Sequence, residues 1–238
     1  MPNPPEIVLH QWCISPFCTK VRKTLAYKGL SYRIQEYGGI RALHPKLLSQ
    51  SGKLPVLDYG SKRVVDSSAI ARFLDERHPS PPLLPVSKTE RALALLLEDW
   101  ADESLYWYEL WLRVHDEGAL DLTVAAACEG LSRFERVAFK RGMLRYRRWL
   151  VAQGLGRYPR ETVLANFREH LDTLDTRLML SPWLVGESPS IADIAVAAQL
   201  DEVLRTSPLA DEIRALPRVG PWLERCSFDH RGALGTER

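Results

Sequence analysis

The stretch His78-Pro79-Ser80-Pro81-Pro82-Leu83-Leu84-Pro85 constrains this chain more than any other. Four of the 16 prolines fall within it. Proline lacks an N–H and clashes with the preceding helical turn, so no helix or strand interior accommodates such a run. The architecture must change here. The patterning on either side agrees: short strand-like runs alternate with helical ones before it, and helical periodicity dominates after it. With 238 residues, one or two domains are expected. The boundaries expected from this division are a first domain over 1–80, a linker over 81–88 and an all-helical domain over 89–238.

In the first part, Ile7 to Trp12 reads as a buried strand. Lys20 to Lys28 reads as a helix with Val21, Leu25 and the Tyr27 ring available for packing. Tyr32, Ile34 and Glu36 alternate with Ser31, Arg33 and Gln35, which suits a second strand, parallel to the first after a crossover. Leu54 to Leu57 and Lys62 to Val65 flank Asp58-Tyr59-Gly60-Ser61, a hairpin signal. Ala69, Ile70, Phe73 and Leu74 then follow at helical spacing. In the second part, helices are expected over 90–113, 133–151, 160–180, 190–204 and 217–226. Residues 116–131 carry no clear pattern, and the tail from Ser227 is expected to be loose.

Composition excludes several classes of protein. A hydrophobic share of 45% can build a packed core and is too high for a disordered chain. Basic and acidic residues number 32 and 30, which gives no global reason to seek nucleic acid or an anionic membrane. Cysteines at 13, 18, 128 and 226 are too few and too scattered for a disulfide framework. No apolar run approaches the roughly 18 residues that span a bilayer. No signal peptide is legible at the start, so a reduced, cytoplasmic protein is expected.

Three places carry chemistry. Ser15-Pro16-Phe17-Cys18 sits between the first strand and first helix, where serine and proline make an N-cap and N1 pair. A helix N-terminus favours an anion or a thiolate, and Ser15 Oγ can donate to such a sulfur. The plainer reading is that Ser15 only caps. Lys53-Leu54-Pro55-Val56-Leu57 places a proline at the mouth of a strand, in trans on local grounds. Asp66-Ser67-Ser68-Ala69-Ile70 is a second strand-to-helix junction. There Ser67 can cap the helix and hold a ligand carboxylate, while Asp66 pairs with a ligand ammonium.

In order and spacing these pieces resemble the glutathione S-transferase family. The resemblance rests on Ser15-Pro16-Phe17-Cys18-Thr19-Lys20-Val21-Arg22, on Lys28-Gly29-Leu30, and on Ser181-Pro182-Trp183-Leu184-Val185-Gly186-Glu187-Ser188-Pro189-Ser190-Ile191-Ala192-Asp193-Ile194-Ala195. It covers roughly residues 7–226. It implies a thioredoxin-like α/β N-terminal domain, an all-α helical-bundle C-terminal domain and a glutathione site on the former. By position it makes Ser15 the residue that contacts the glutathione sulfur and Pro55 a cis-proline. Leu54 becomes the residue whose backbone pairs with the cysteinyl part. Asp66 and Ser67 become the pair that grips the γ-glutamyl group. Lys53, with Lys46 or Arg41, is matched to the glycyl carboxylate. Glutathione is then a co-substrate, the second substrate a small apolar electrophile, and a homodimer the expected assembly, with no metal, nucleic acid or membrane partner. Ser190 and Asp193 have capping-box spacing and are read as structural.

Two alternatives stay open. Cysteine-type members form mixed disulfides with glutathione, so reductase or lyase-like chemistry through Cys13 is one. A non-catalytic binding or scaffold protein on the same fold is the other. A zinc site of His10, Cys13 and Cys18 lacks a second ligand pair at metal spacing. Trp100, Trp107 and Trp111 fall at steps of seven and four, one helical face, which suits core or dimer contact; by family position Tyr106 and Trp107 are the candidates for the substrate pocket. Between Arg133 and Arg148, seven basic residues face one acid, Glu135. They suit an anionic substrate or partner, or simply a solvated face. Together with Leu155-Gly156-Arg157-Tyr158-Pro159-Arg160 this stretch resembles transferase-like proteins related to metaxins.

Overall fold

A computed structural model describes residues 5–38, 48–228 and 233–237. By contacts the chain divides into two units, residues up to Leu83 together with those from Phe228 onward, and Leu84–Ser227. No helix among the described residues is long and apolar enough to cross a membrane.

The first unit is built on β1 (Ile7–Gln11), α1 (Pro16–Tyr27), β2 (Tyr32–Glu36), β3 (Val56–Tyr59), β4 (Lys62–Val65), α2 (Ser67–Arg77) and β5 (Ala233–Glu237). The sheet order is β4-β3-β1-β2-β5. β1 is central, with both its edges paired, and Ile7 and Leu9 are buried in a core with Val21, Leu25, Ile34, Leu57, Ile70 and Leu74. β1 runs parallel to β2 and antiparallel to β3, and β3 and β4 form the hairpin. The tail expected to be loose instead supplies β5, which pairs in parallel with β2. The Phe228 ring just before it packs 5.3 Å from that of Tyr27. Lys28 is buried and donates from Nζ to the Asp75 carboxylate and to the carbonyls of His78 and Pro81. One ammonium thereby ties the end of α1 to the proline segment.

The second unit is helical: α3 (Lys88–Trp100), α4 (Tyr106–His115), α5 (Glu117–Ala127), α6 (Arg133–Leu144), α7 (Tyr146–Gln153), α8 (Arg160–Arg177), α9 (Ile191–Thr206), α10 (Ala210–Arg214) and α11 (Val219–Arg225). α9 is buried on nearly every side, and the polar Asp193, Gln199 and Glu202 are buried with it. Its start is held by Asp193, whose carboxylate accepts from Ser190 N and Oγ, Leu184 N and Trp222 Nε1. This is the structural role read from the spacing.

Three expectations change. Residues 117–127, without clear pattern, form a helix because Asp116 caps it through Ala119 N. The helix expected over 133–151 breaks at Arg145 into α6 and α7. The long helix expected over 90–113 contains a π-helical turn, Ala101–Leu105. A π turn takes up about 4.4 residues instead of 3.6, so it advances the phase by nearly one residue. Trp100 and Tyr108 therefore share a face and both rings meet His170, at 5.4 and 5.1 Å. Trp107 turns instead to Tyr106, and Trp111 stacks on His115. The single tryptophan face of the sequence reading is lost.

Candidate functional site

The strand register assembles the site. Gln11 lies opposite Glu36, His10 opposite Val56, and Val56 opposite Val65. Residues that follow Gln11, precede Val56 or follow Val65 thus emerge at one end of the sheet. These are Cys13 and Ser15, Leu54 and Pro55, and Asp66 and Ser67. Helices α1 and α2 both begin at that end, so two positive dipole ends and two sets of unpaired N–H groups open there. No acidic residue occupies the first turn of either helix, and the one carboxylate at these N-termini is the Asp66 cap of α2.

Ser15 is the N-cap of α1 as expected, with Pro16 at N1; its Oγ accepts from Cys18 N at 3.4 Å. The hydroxyl is half-buried. Three groups fix the loop before it. Ser15 N donates to Trp12 O, Cys13 N donates to Glu36 Oε1 at 2.7 Å, and Trp12 N donates to Cys18 Sγ. Glu36 also accepts from the Gln11 side chain, whose oxygen is held by Arg22. Glu36, which sequence reasoning missed, thus holds the loop that leads to Ser15; its only signal was a carboxylate ending a strand.

The two cysteines separate clearly. Cys18 is fully buried, and burial pushes its thiol up to about 11, which keeps it protonated. Cys13 is partly exposed. His10 engages Tyr37 and Asp58 with its two ring nitrogens, and among the described residues no group of three His, Cys, Asp or Glu is placed to hold a metal ion.

The Leu54-Pro55 bond is cis, as the resemblance implied and the local reading did not. At the second junction the cap is Asp66, not Ser67. Asp66 Oδ1 accepts from Ala69 N at 2.9 Å, and Ser67 becomes the buried first residue of α2. Asp66 has φ of 82°, the one non-glycine residue at positive φ among those described. Such a conformation costs on the order of 1–3 kcal/mol and recurs at ligand clamps. Lys20, unremarked in the sequence, is almost wholly buried and donates to Ser68 Oγ at 2.9 Å. It brings a positive charge in behind the N-terminus of α2. Lys53 is exposed; Arg41 and Lys46 lie outside the described residues. Tyr106 and Trp107 belong to the second unit, their rings 5.2 Å apart, and burial raises the Tyr106 hydroxyl above its ordinary range.

A strand-loop-helix junction beside a cis-proline and a second helix N-terminus is the layout of a thioredoxin-like domain. Comparisons with known proteins make the relationship specific. Residues 9–82 match the glutathione S-transferase N-terminal domain model and residues 118–225 the C-terminal domain model of the same family. The isoprene-epoxide glutathione S-transferase of Rhodococcus sp. (strain AD45) is 26% identical over 196 residues, 80% of each chain. Glutathione S-transferase 3 of Glycine max is 30% identical over 126 residues, 49% of this chain and 57% of that protein. In fold, the chain is similar to a GST-like protein from Pseudomonas syringae, with TM-score 0.69 and 24% identity over 98% of this chain and 70% of the other. The chain belongs to the glutathione S-transferase family, a family of glutathione-dependent transferase enzymes.

Proposed function

We propose that the chain binds glutathione at this sheet end and conjugates it to a small apolar electrophile. The observation that carries the reading is the convergence of the Ser15 and Ser67 helix N-termini beside Leu54 and cis-Pro55. In this reading Ser67 N–H and hydroxyl take the γ-glutamyl carboxylate, Asp66 takes its ammonium, the Leu54 backbone pairs with the cysteinyl unit, and Lys53 meets the glycyl carboxylate.

Glutathione supplies the nucleophile: its thiol gives its proton to solvent, and the thiolate sulfur forms a C–S bond as a C–halogen or epoxide C–O bond breaks; a halide leaves with the electron pair, whereas an epoxide oxygen stays on the product and takes up a proton from water. The chain's task is to favour thiolate over thiol. An ordinary thiol near pKa 8.5 is mostly protonated at pH 7. Lowering it by two units takes about 2.7 kcal/mol of preferential stabilisation. One hydroxyl hydrogen bond to a charged acceptor, about 1.5–3 kcal/mol, and the α1 N-terminus together reach that figure. The cap uses a lone pair of Ser15 Oγ and leaves its proton for the sulfur. A small epoxide, as in the name of the Rhodococcus relative, fits the electrophile class. Tyr106 and Trp107 are assigned to its pocket. A homodimer goes with the reading; Leu93 and Leu96 on α3, 39% and 68% exposed, support an apolar contact face. Four free cysteines suit a reducing cytoplasm.

Partly exposed Cys13 at the same sheet end favours one second reading, thiol–disulfide exchange with glutathione. Calorimetric titration with glutathione separates the possibilities. Micromolar-to-millimolar binding is expected, weakened at least ten-fold in Ser67→Ala and retained in Cys13→Ser. A mixed disulfide that disappears in Cys13→Ser selects the second reading. Absence of binding overturns both and leaves a scaffold.

A further inference from the structure

Helix α6 presents a face that its own fold leaves uncovered. Met143 is its one buried residue, while Phe134 is 82% and Val137 45% exposed. With Ala138, Arg141, Gly142 and Arg145 these two line an open trough of about 270 Å³. Their spacing is i, i+3, i+4, i+7, i+8 and i+11, so the trough is a single stripe along the helix. Ala138 and Gly142, one turn apart, form its floor. Beyond its chain neighbours and the backbone of its own helix, a Cβ at Gly142 would meet no atom of the described residues within 4 Å.

The rim is cationic. Arg141 and Arg145 line the trough and are exposed. The nearby acids are engaged: Glu135 closes on Ser132 in a capping box, and Asp121 pairs with Lys140. What remains is an apolar dip edged by guanidinium groups, which pair with carboxylates through two parallel hydrogen bonds.

Shape and charge select the occupant. Sites for small molecules enclose roughly 300–1,000 Å³ and bury most of the ligand, and this trough is smaller and open. Binding at a bilayer surface needs apolar side chains that stand proud and sink among the acyl chains. Here the stripe dips at its centre instead. A second copy of α6 would set arginine against arginine. A dip floored by small residues one turn apart suits the ridge of another helix. We propose that this face docks an acidic amphipathic helix of a partner protein, with an apolar side chain in the trough and carboxylates at Arg141 and Arg145.

The test is fluorescence anisotropy with two labelled synthetic peptides of about 18 residues, long enough to hold a helix. Both carry leucine at i, i+3, i+4 and i+7; one has glutamate on the flanking positions and the other lysine. The glutamate peptide is expected to bind at least ten-fold more tightly than the lysine peptide. Gly142→Leu fills the trough without altering charge, and Arg141→Glu with Arg145→Glu inverts the rim. Each is expected to weaken glutamate-peptide binding ten-fold or more, with glutathione binding unchanged. Equal affinity for the two peptides, or affinity that survives Gly142→Leu, overturns the proposal. So does tighter binding to phosphatidylserine vesicles than to the glutamate peptide, or self-association that Gly142→Leu abolishes.

Discussion

The Ser15 hydroxyl has two lone pairs and one proton, and capping α1 engages only a lone pair. Replacing it removes both functions, which are separable by measurement. Ser15→Ala is expected to lower turnover with an epoxide or aryl halide by ten-fold or more, with glutathione affinity within a few-fold. Loss of the cap is expected to lower stability by about 0.5–1 kcal/mol, read from urea unfolding. Unchanged turnover would leave Ser15 as a cap alone. A different residue governs pH dependence. Glu109 is fully buried, and burial pushes its carboxyl up to about 7 against the pull of Arg113 and Arg205, with Glu202 adding like charge. Its folded pKa stands above the unfolded one, so the folded state binds the extra proton between about pH 4.5 and 7. Stability from this group is therefore present at low pH and lost as pH rises through 7. Glu109→Gln is expected to flatten that slope, on the order of 2 kcal/mol across the window, when unfolding is followed from pH 5 to 8. A slope that persists in the variant would assign it elsewhere. Among single residues, the Ser15–Pro16 cap was legible because it depends on adjacent positions only. Asp66 was misassigned because the left-handed backbone that makes it the cap is set by its surroundings, and Glu36 was missed because its partners are 23 and 25 positions away.

At the level of elements, the π turn over Ala101–Leu105 behaves as one residue inserted into a helix that is otherwise in phase. Removing one residue from it, the exposed Glu103, restores regular α-helix and keeps Trp100 and Tyr108 on the same face against His170. The deletion is expected to leave the unfolding midpoint within about 1 kcal/mol of the parent while changing turnover. A loss several times larger would mean that the turn holds its own packing together. Asp193 is the contrary case. Its carboxylate meets four donors from the 184–190 loop and α11, so Asp193→Ala strands buried N–H groups and is expected to cost roughly 3–4 kcal/mol in urea unfolding. The Ser190–Asp193 spacing was readable because a capping box is local. The π turn was not legible because Ala101–Leu105 holds no proline or glycine to mark where the phase shifts.

For the molecule as a whole, the change of unit after Leu83 falls inside the proline run, whereas the helical unit ends at Ser227 and not at 238, because the residues from Phe228 join the first unit. The assembly was not legible, since the sequence does not say which leucines stay outside. With Leu93 and Leu96 exposed on α3, Leu96→Arg is expected to convert a dimer to a monomer in sedimentation velocity while glutathione still binds. A wild-type chain that sediments as a monomer at high micromolar concentration would sink the dimer.

The return of β5 to β2 has a practical consequence. The helical unit interrupts a single sheet, entering after α2 and leaving before β5, and the last strand occupies what would otherwise be the outer edge of β2. An edge with bare N–H and C=O groups is a template for another chain's strand. A version stopped at Ser227 would present that template, so shortened versions should be watched for oligomers and fibrils, and purification tags belong at the other end.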